Sequence, residues 1–108
     1  MSESEFLYLT TTGRRTGQPR QIEIWFTEHE GRYYLVAEHG ERASWVQNLR
    51  TDPRVTVRLG KRVFPASARV VDEPTATVLR DDVRRRSEHK YGWGDGLVIE
   101  LSPTGETR

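Results

Sequence analysis

The chain contains no cysteine among its 108 residues, which excludes disulfides, thiolate catalysis and cysteine-ligated zinc. It also lacks any stretch that approaches the roughly 20 apolar residues a membrane-spanning helix needs. The first residues, Met1 to Glu5, are acidic and no apolar run follows them, so no secretory signal is predicted. We therefore expect a cytoplasmic protein without a membrane span.

Neither sign of charge is in excess, because 17 Lys and Arg residues oppose 16 Asp and Glu residues for a formal net charge of +1. A general nucleic-acid binder normally carries a strong basic excess, so nucleic acid is not expected as a partner. Hydrophobic residues make up only 34% of the chain, a small supply for the single domain, residues 1–108, that this length allows. A ligand site open at the surface or shared with a second copy is easier to build than an enclosed one, and we expect a homodimer.

Short strand-like segments dominate the hydrophobic pattern, and two helical segments interrupt them. Strands are predicted at residues 6–11, 20–27, 32–37, 54–59, 63–71 and 97–101. Helical spacing of Trp45, Val46 and Leu49 predicts a first helix that ends at Asp52-Pro53, and a second helix follows Pro74. Six mostly antiparallel strands with two flanking helices predict an α+β fold whose sheet curls into a closed or split barrel.

The segment TTGRRTGQPR, from Thr11 to Arg20, has the composition of an anion-binding loop. It places Arg14, Arg15 and Arg20 beside two glycines between two strands. Glycines let backbone N–H groups approach an anion closely, and guanidinium groups bind phosphate or carboxylate oxygens in pairs. A solvated hairpin loop of an ordinary protein is the alternative interpretation. The residues by themselves leave both interpretations open.

Two further segments carry side chains suited to a planar ligand. Trp45 and Asn48 lie three residues apart and so share a helix face, where they could contact a heterocycle. Alternatively, Trp45 and Leu49 plug the barrel while Asn48 caps or bonds to a nearby loop. Tyr91 and Trp93 lie among glycines, either in a segment that folds over an apolar substrate or in a packed connector. No histidine has a partner at metal-ligand spacing, so no metal site is expected.

Taken together, these motifs resemble the deazaflavin (F420)-dependent nitroreductase family, also described as the F420-dependent quinone reductases. The resemblance is carried by TTTGRRTGQPR with EIWF, and by YYLVAEHGERASWVQNLRTDPRVTVRLG, from about Leu9 to Leu59. It implies a split β-barrel of the flavin-binding, pyridoxamine-phosphate-oxidase-like type. It also implies an oxidoreductase that transfers a hydride from reduced F420 to a small electron-poor substrate such as a quinone, nitroaromatic or enone.

The resemblance also implies roles for individual residues. The loop is implied to bind the phosphate and acidic tail of the cofactor, and the strand that follows it is implied to contact the ring system. The first helix and the segment before it are implied to make the remaining contacts. The implied cofactor-binding residues are Arg14, Arg15, Thr16, Gly17, Arg20, Ile22, Glu23, Ala37, Glu38, His39, Trp45 and Asn48. Trp25, Tyr91 and Trp93 are implied on the substrate side, and no residue is assigned as the proton donor.

Three other functions stay open at this stage. FMN could replace F420, although FMN has one phosphate and no acidic tail, so three arginines exceed its requirement. A non-catalytic carrier or sensor would bind the cofactor without turnover. An interaction domain would use the arginine loop to bind the acidic surface of a partner protein.

Overall fold

The computed structural model describes residues 6–72, 76–91 and 96–104, without the side chains of Glu41, Lys90 and Tyr91. The described strands are β1 (Phe6–Thr12), β2 (Pro19–Trp25), β3 (Thr27–His29), β4 (Arg32–Ala37), β5 (Arg54–Leu59), β6 (Arg62–Val70) and β7 (Leu97–Pro103). The two α-helices are α1 (Ser44–Thr51) and α2 (Thr77–Tyr91), and a short 3-10 turn, Gly40–Arg42, precedes α1. None of the described helices is long and apolar enough to cross a membrane.

One antiparallel sheet contains all seven of these strands, in the order β2-β1-β5-β6-β7-β4-β3. Its two edge strands, β2 and β3, are consecutive along the chain, so the sheet must curl until its edges approach each other. Contacts between β2 and β4 mark the seam where the barrel is split. The predicted α+β fold, a curled antiparallel sheet with two flanking helices, is confirmed.

The predicted number of six strands is wrong, because the single strand expected over residues 20–27 is two strands. Phe26 separates β2, which pairs with β1, from β3, which pairs with β4. The alternation of Ile22, Ile24 and Phe26 continues through this junction, since Phe26 is itself buried in the core. Hydrophobic periodicity reports which face of a strand is buried and not which neighbour it pairs with, so it could not reveal the change.

The curled sheet has a different apolar layer on each face. Its inner face holds the main core, which includes Leu7, Leu35 and Ile99. Its outer face at β4 and β7 is covered by α2, which packs Val83 against Val36 and Val98. The split between β2 and β4 lies near the start of α1 and near α2. The two cavities described below are lined by residues of these elements.

Candidate functional site

The loop between β1 and β2 is folded tightly upon itself by its own backbone. The Gly13 N–H donates to the Gln18 carbonyl at 2.8 Å, and the Gly17 N–H donates to the Gly13 carbonyl at 2.8 Å. Gly17 has a φ of 74°, a backbone conformation that residues with a side chain rarely adopt. A Cβ atom on Gly13 would lie 3.1 Å from the Gln18 oxygen and 3.2 Å from Thr16 Oγ1. Both glycines of the motif are therefore needed for the shape of the loop.

Asn48 of α1 fastens this loop to the barrel. Its Oδ1 atom accepts from the backbone N–H of Arg14 at 3.1 Å and from Arg14 Nη1 at 2.9 Å, while its Nδ2 donates to Thr11 Oγ1 at 3.2 Å. Arg14 Nη1 also donates to the Ser44 carbonyl at 3.3 Å. The Asn48 side chain is only 4% exposed, and a buried amide needs such partners. Of the two roles open for Asn48, the structure shows the contact with a nearby loop.

The loop and the start of α1 line an open surface cavity of about 460 Å³, which we call the arginine cavity. It is lined by Gly13, Arg14, Arg15, Thr16, Arg20, Ile22, Ser44, Trp45 and Asn48. Within the described part of the chain, none of its three guanidinium groups forms an ion pair. Helix α1 adds the partial positive charge of its N-terminus, where Ala43 supplies no side-chain cap. The cavity can therefore bind phosphate or carboxylate groups.

A second cavity of about 380 Å³, which we call the aromatic cavity, lies at the split of the barrel. It is lined by Glu23, Ile24, Trp25, Val36, Ala37, Glu38, His39, Ala43, Trp45 and Ser87. Trp45 lines both cavities, so the two adjoin across its ring. Six of these ten residues are apolar and four are polar, and walls that combine apolar side chains with placed polar groups are typical of small-molecule sites.

Every residue that the sequence implied for cofactor binding lines one of these two cavities, except Gly17. Gly17 acts through the conformation of the loop instead. Trp25, implied on the substrate side, lines the aromatic cavity. Trp93 and the side chain of Tyr91 lie outside the described residues, so their implied role stays a prediction.

Sequence reasoning missed Ser44 and Ser87. Ser44 could have been found, because it opens the predicted helix immediately before Trp45 and lies near the N-terminal anion-binding end. Ser87 is buried on α2 and reaches the aromatic cavity only because α2 packs over β4. No local pattern marks Ser87, since the contact joins segments far apart in the chain.

A buried polar network lies outside both cavities and joins three neighbouring strands. The Tyr34 hydroxyl of β4 donates to Glu100 Oε2 of β7 at 2.8 Å, and Arg69 Nε of β6 donates to Glu100 Oε1 at 3.1 Å. Burial and the neighbouring Glu100 carboxylate raise the pKa of Tyr34 to about 12. This network stabilises the sheet beneath α2. Elsewhere in the described residues, no group of three or more His, Asp or Glu side chains could hold a metal ion.

The curled sheet, with its split between β2 and β4, has the fold of the split β-barrels. A solved structure described as an F420-H2-dependent reductase superposes with a TM-score of 0.74 at 22% identity and covers 94% of this chain and 97% of that one. Another, described as a domain-swapped dimer, has a TM-score of 0.74 at 23% identity and covers 94% of this chain and 82% of that one. At these identities the likeness shows the fold alone.

The family follows from the sequence comparisons. The model of the F420H(2)-dependent quinone reductase family matches residues 1–94, and the chain belongs to that family. An F420H(2)-dependent quinone reductase of Mycobacterium tuberculosis is 29% identical over 90 residues, which are 79% of this chain and 60% of the relative. The chain thus spans about 60% of the length of the curated relatives it matches. The predicted family is confirmed, and the cofactor in the family's description is F420 in its reduced form.

Proposed function

We propose that the chain is an F420-dependent oxidoreductase that transfers a hydride to a small electron-poor acceptor, with quinones as the first candidates. Nitroaromatics and enones are further acceptors of the same kind. The observation that carries this proposal is a cavity with three arginines that adjoins, across Trp45, an aromatic cavity. F420 has the matching division, because a phosphate and an acidic tail extend from a flat deazaflavin ring.

The lining residues fit this cofactor by charge and shape. Arg14, Arg15 and Arg20, with Thr16, would hold the phosphate and the acidic tail in the arginine cavity. Ile22 and Glu23 would lie along the ring, and the segment Ala37 to His39 would contact the ring or its ribityl arm. Trp45 would complete the pocket. The Asn48 contacts keep Arg14 at the cavity before any ligand arrives, which lowers the entropy lost on binding.

The contribution of the protein to the reaction is mainly orientation. When bound, reduced F420 supplies a hydride and a proton overall, so that a quinone leaves as a hydroquinone and the cofactor becomes oxidised. The walls of the aromatic cavity would restrict the approach of the acceptor, and Trp25, which lines this cavity, would lie on the acceptor side. Such reactions gain chiefly from holding donor and acceptor about 3 to 3.5 Å apart in the right orientation.

Fluorescence titration of the purified protein with oxidised F420, in parallel with FMN, tests the cofactor. We expect saturable binding of F420 at low micromolar concentration or below, and much weaker binding of FMN. Tight FMN binding would instead favour flavin chemistry in the same barrel. Failure of both cofactors to bind would contradict the enzyme proposal and favour an interaction domain.

Turnover separates the enzyme from a carrier or sensor of the cofactor. Protein loaded with reduced F420 is mixed with a neutral naphthoquinone or a nitroaromatic acceptor, and reoxidation of the cofactor is followed by absorbance. The enzyme proposal expects reoxidation at a rate that depends on protein concentration. Tight binding of both redox forms with no turnover would show a carrier.

We also propose that the protein forms a homodimer through the outer face of β1, β2, β5 and β6. This face carries Phe6, Trp25 and Val63, which are exposed large hydrophobic residues. Tyr8, Arg58 and Val63 lie side by side on it through the pairing of β1, β5 and β6. A domain-swapped dimer among proteins of similar fold supports self-association.

A further inference from the structure

The ionisable side chains that line the two cavities are separated by sign. Among the residues that the structure describes, the arginine cavity is lined by Arg14, Arg15 and Arg20 and by no carboxylate. The aromatic cavity has the carboxylates Glu23 and Glu38, and His39 is the only other ionisable side chain that lines it within the described part of the chain. The charge of the lining therefore changes from positive in the arginine cavity to negative in the aromatic cavity.

Glu23 and Glu38 are also uncompensated. Neither forms an ion pair with any residue in the described ranges, although the chain has 17 Lys and Arg residues that could supply one. Four other carboxylates are held by arginines at 2.9 to 3.2 Å, namely Asp52, Asp72, Asp82 and Glu100. The negative charge at the aromatic cavity is thus left open to a ligand.

We propose that Glu23 and Glu38 select against anionic acceptors, so that the substrate class is uncharged or cationic electron-poor aromatics. The inference rests on the proposed function and deepens it. An anion beside two unpaired carboxylates is repelled, and because both carboxylates are exposed, this repulsion is screened by salt and is strongest at low ionic strength. The same charges keep the acidic tail of the cofactor out of the aromatic cavity and so fix its direction of binding.

Fluorescence quenching of Trp25 measures the charge without cofactor or turnover. In a protein with Trp45→Phe and Trp93→Phe, Trp25 alone reports on the aromatic cavity, and iodide, caesium and acrylamide serve as anionic, cationic and neutral quenchers at constant ionic strength. The double substitution Glu23→Gln with Glu38→Gln should raise the iodide quenching constant and lower the caesium constant, each by about twofold. Acrylamide quenching should not change. As a matched control, Asp81→Asn on the exposed face of α2 should alter none of the three.

Steady-state kinetics then test selection with a neutral naphthoquinone and its sulfonated analogue. The Glu23→Gln, Glu38→Gln variant, with its tryptophans intact, should raise kcat/KM for the sulfonate relative to the neutral quinone by about three- to tenfold. An unchanged ratio of iodide to caesium quenching overturns the inference, and so does a quenching shift without a kinetic shift. If no quinone is turned over while the quenching ratio shifts as expected, the proposed function fails. The separation of positive charge in the arginine cavity from negative charge in the aromatic cavity is then still supported.

Discussion

Arg14 and Arg15 are neighbours in the chain, yet the fold holds them differently. Both are exposed, but Arg14 is fixed by hydrogen bonds to Asn48 and Ser44, whereas Arg15 makes no hydrogen bond or ion pair within the described residues. Arg15→Ala should therefore weaken F420 binding about tenfold or more, since a charge-assisted contact is lost, and leave the thermal unfolding temperature unchanged. Arg14→Ala should lower both the affinity and the unfolding temperature.

The control for both substitutions is Lys61→Ala, which removes a cation from the exposed turn between β5 and β6. It should change neither quantity, because Lys61 lines neither cavity. F420 affinity that survives in both arginine variants would remove the loop from the cofactor site.

Asn48→Leu should show that Asn48 acts through Arg14. Leucine has a similar volume but no amide, so the bonds to Arg14 and Thr11 are lost, and we expect a loss of about 1 to 3 kcal/mol in the free energy of unfolding. F420 affinity should fall in the wild-type background and change little when Arg14→Ala is already present. Denaturant unfolding and F420 titration of the single and double variants measure both effects. Additive losses of affinity would mean that Asn48 contacts the cofactor independently.

Between elements, β4, β6 and β7 are joined by the network of Tyr34, Arg69 and Glu100, and this network predicts a dependence of stability on alkaline pH. The pKa of Tyr34 is raised from 10.0 to about 12 in the fold. A raised pKa means that the stabilisation is fully present below pH 10 and is lost as the pH rises from about 10 through 12. Over this window Tyr34 lowers the free energy of unfolding by up to about 1.4 kcal/mol for each pH unit.

Urea denaturation between pH 9 and pH 12 checks this prediction by comparison with Tyr34→Phe. The variant is expected to be less stable at pH 9, because Glu100 loses its hydroxyl donor. Its stability should then fall less steeply above pH 10, because the variant lacks the Tyr34 hydroxyl. Equal slopes would mean that Tyr34 ionises in the fold as readily as it does in the unfolded chain.

Local sequence patterns predicted those elements and site residues whose partners are close in the chain. The strands predicted at residues 54–59 and 63–71 correspond to β5 and β6, and the arginine loop could be recognised because its residues are contiguous. The family resemblance added Ile22, Glu23, Ala37, Glu38 and His39, each of which lines one of the two cavities. The pairing of β1 with β5 and of β4 with β7 could not be predicted from local patterns, since each joins segments distant along the chain. The position of Ser87 depends on that long-range packing.

The exposed large apolar side chains of the molecule lie on two different surfaces, and their grouping on one of them predicts how two copies associate. Val63 is 63% exposed on the sheet face that also carries Phe6 and Trp25, whereas Val78 is 82% exposed on α2. If two copies pack through the sheet face, Val63→Glu should place a charge in the interface and convert the dimer to a monomer, because burying an unpaired charge is costly. Size-exclusion chromatography with light scattering measures the mass in solution.

Val78→Glu is the matched control, since it makes the same substitution at a more exposed valine outside the proposed interface. The mass of this variant should equal that of the wild-type protein. A monomeric wild-type protein would exclude the dimer, and a Val63→Glu variant that stays dimeric would move the interface to another face. Trp25 lies both on this sheet face and at the aromatic cavity, so a dimer formed here would bring a second copy to the rim of the acceptor site. Loss of the dimer should therefore raise KM for the acceptor more than the dissociation constant of F420, whose arginine cavity lies on the other side of Trp45.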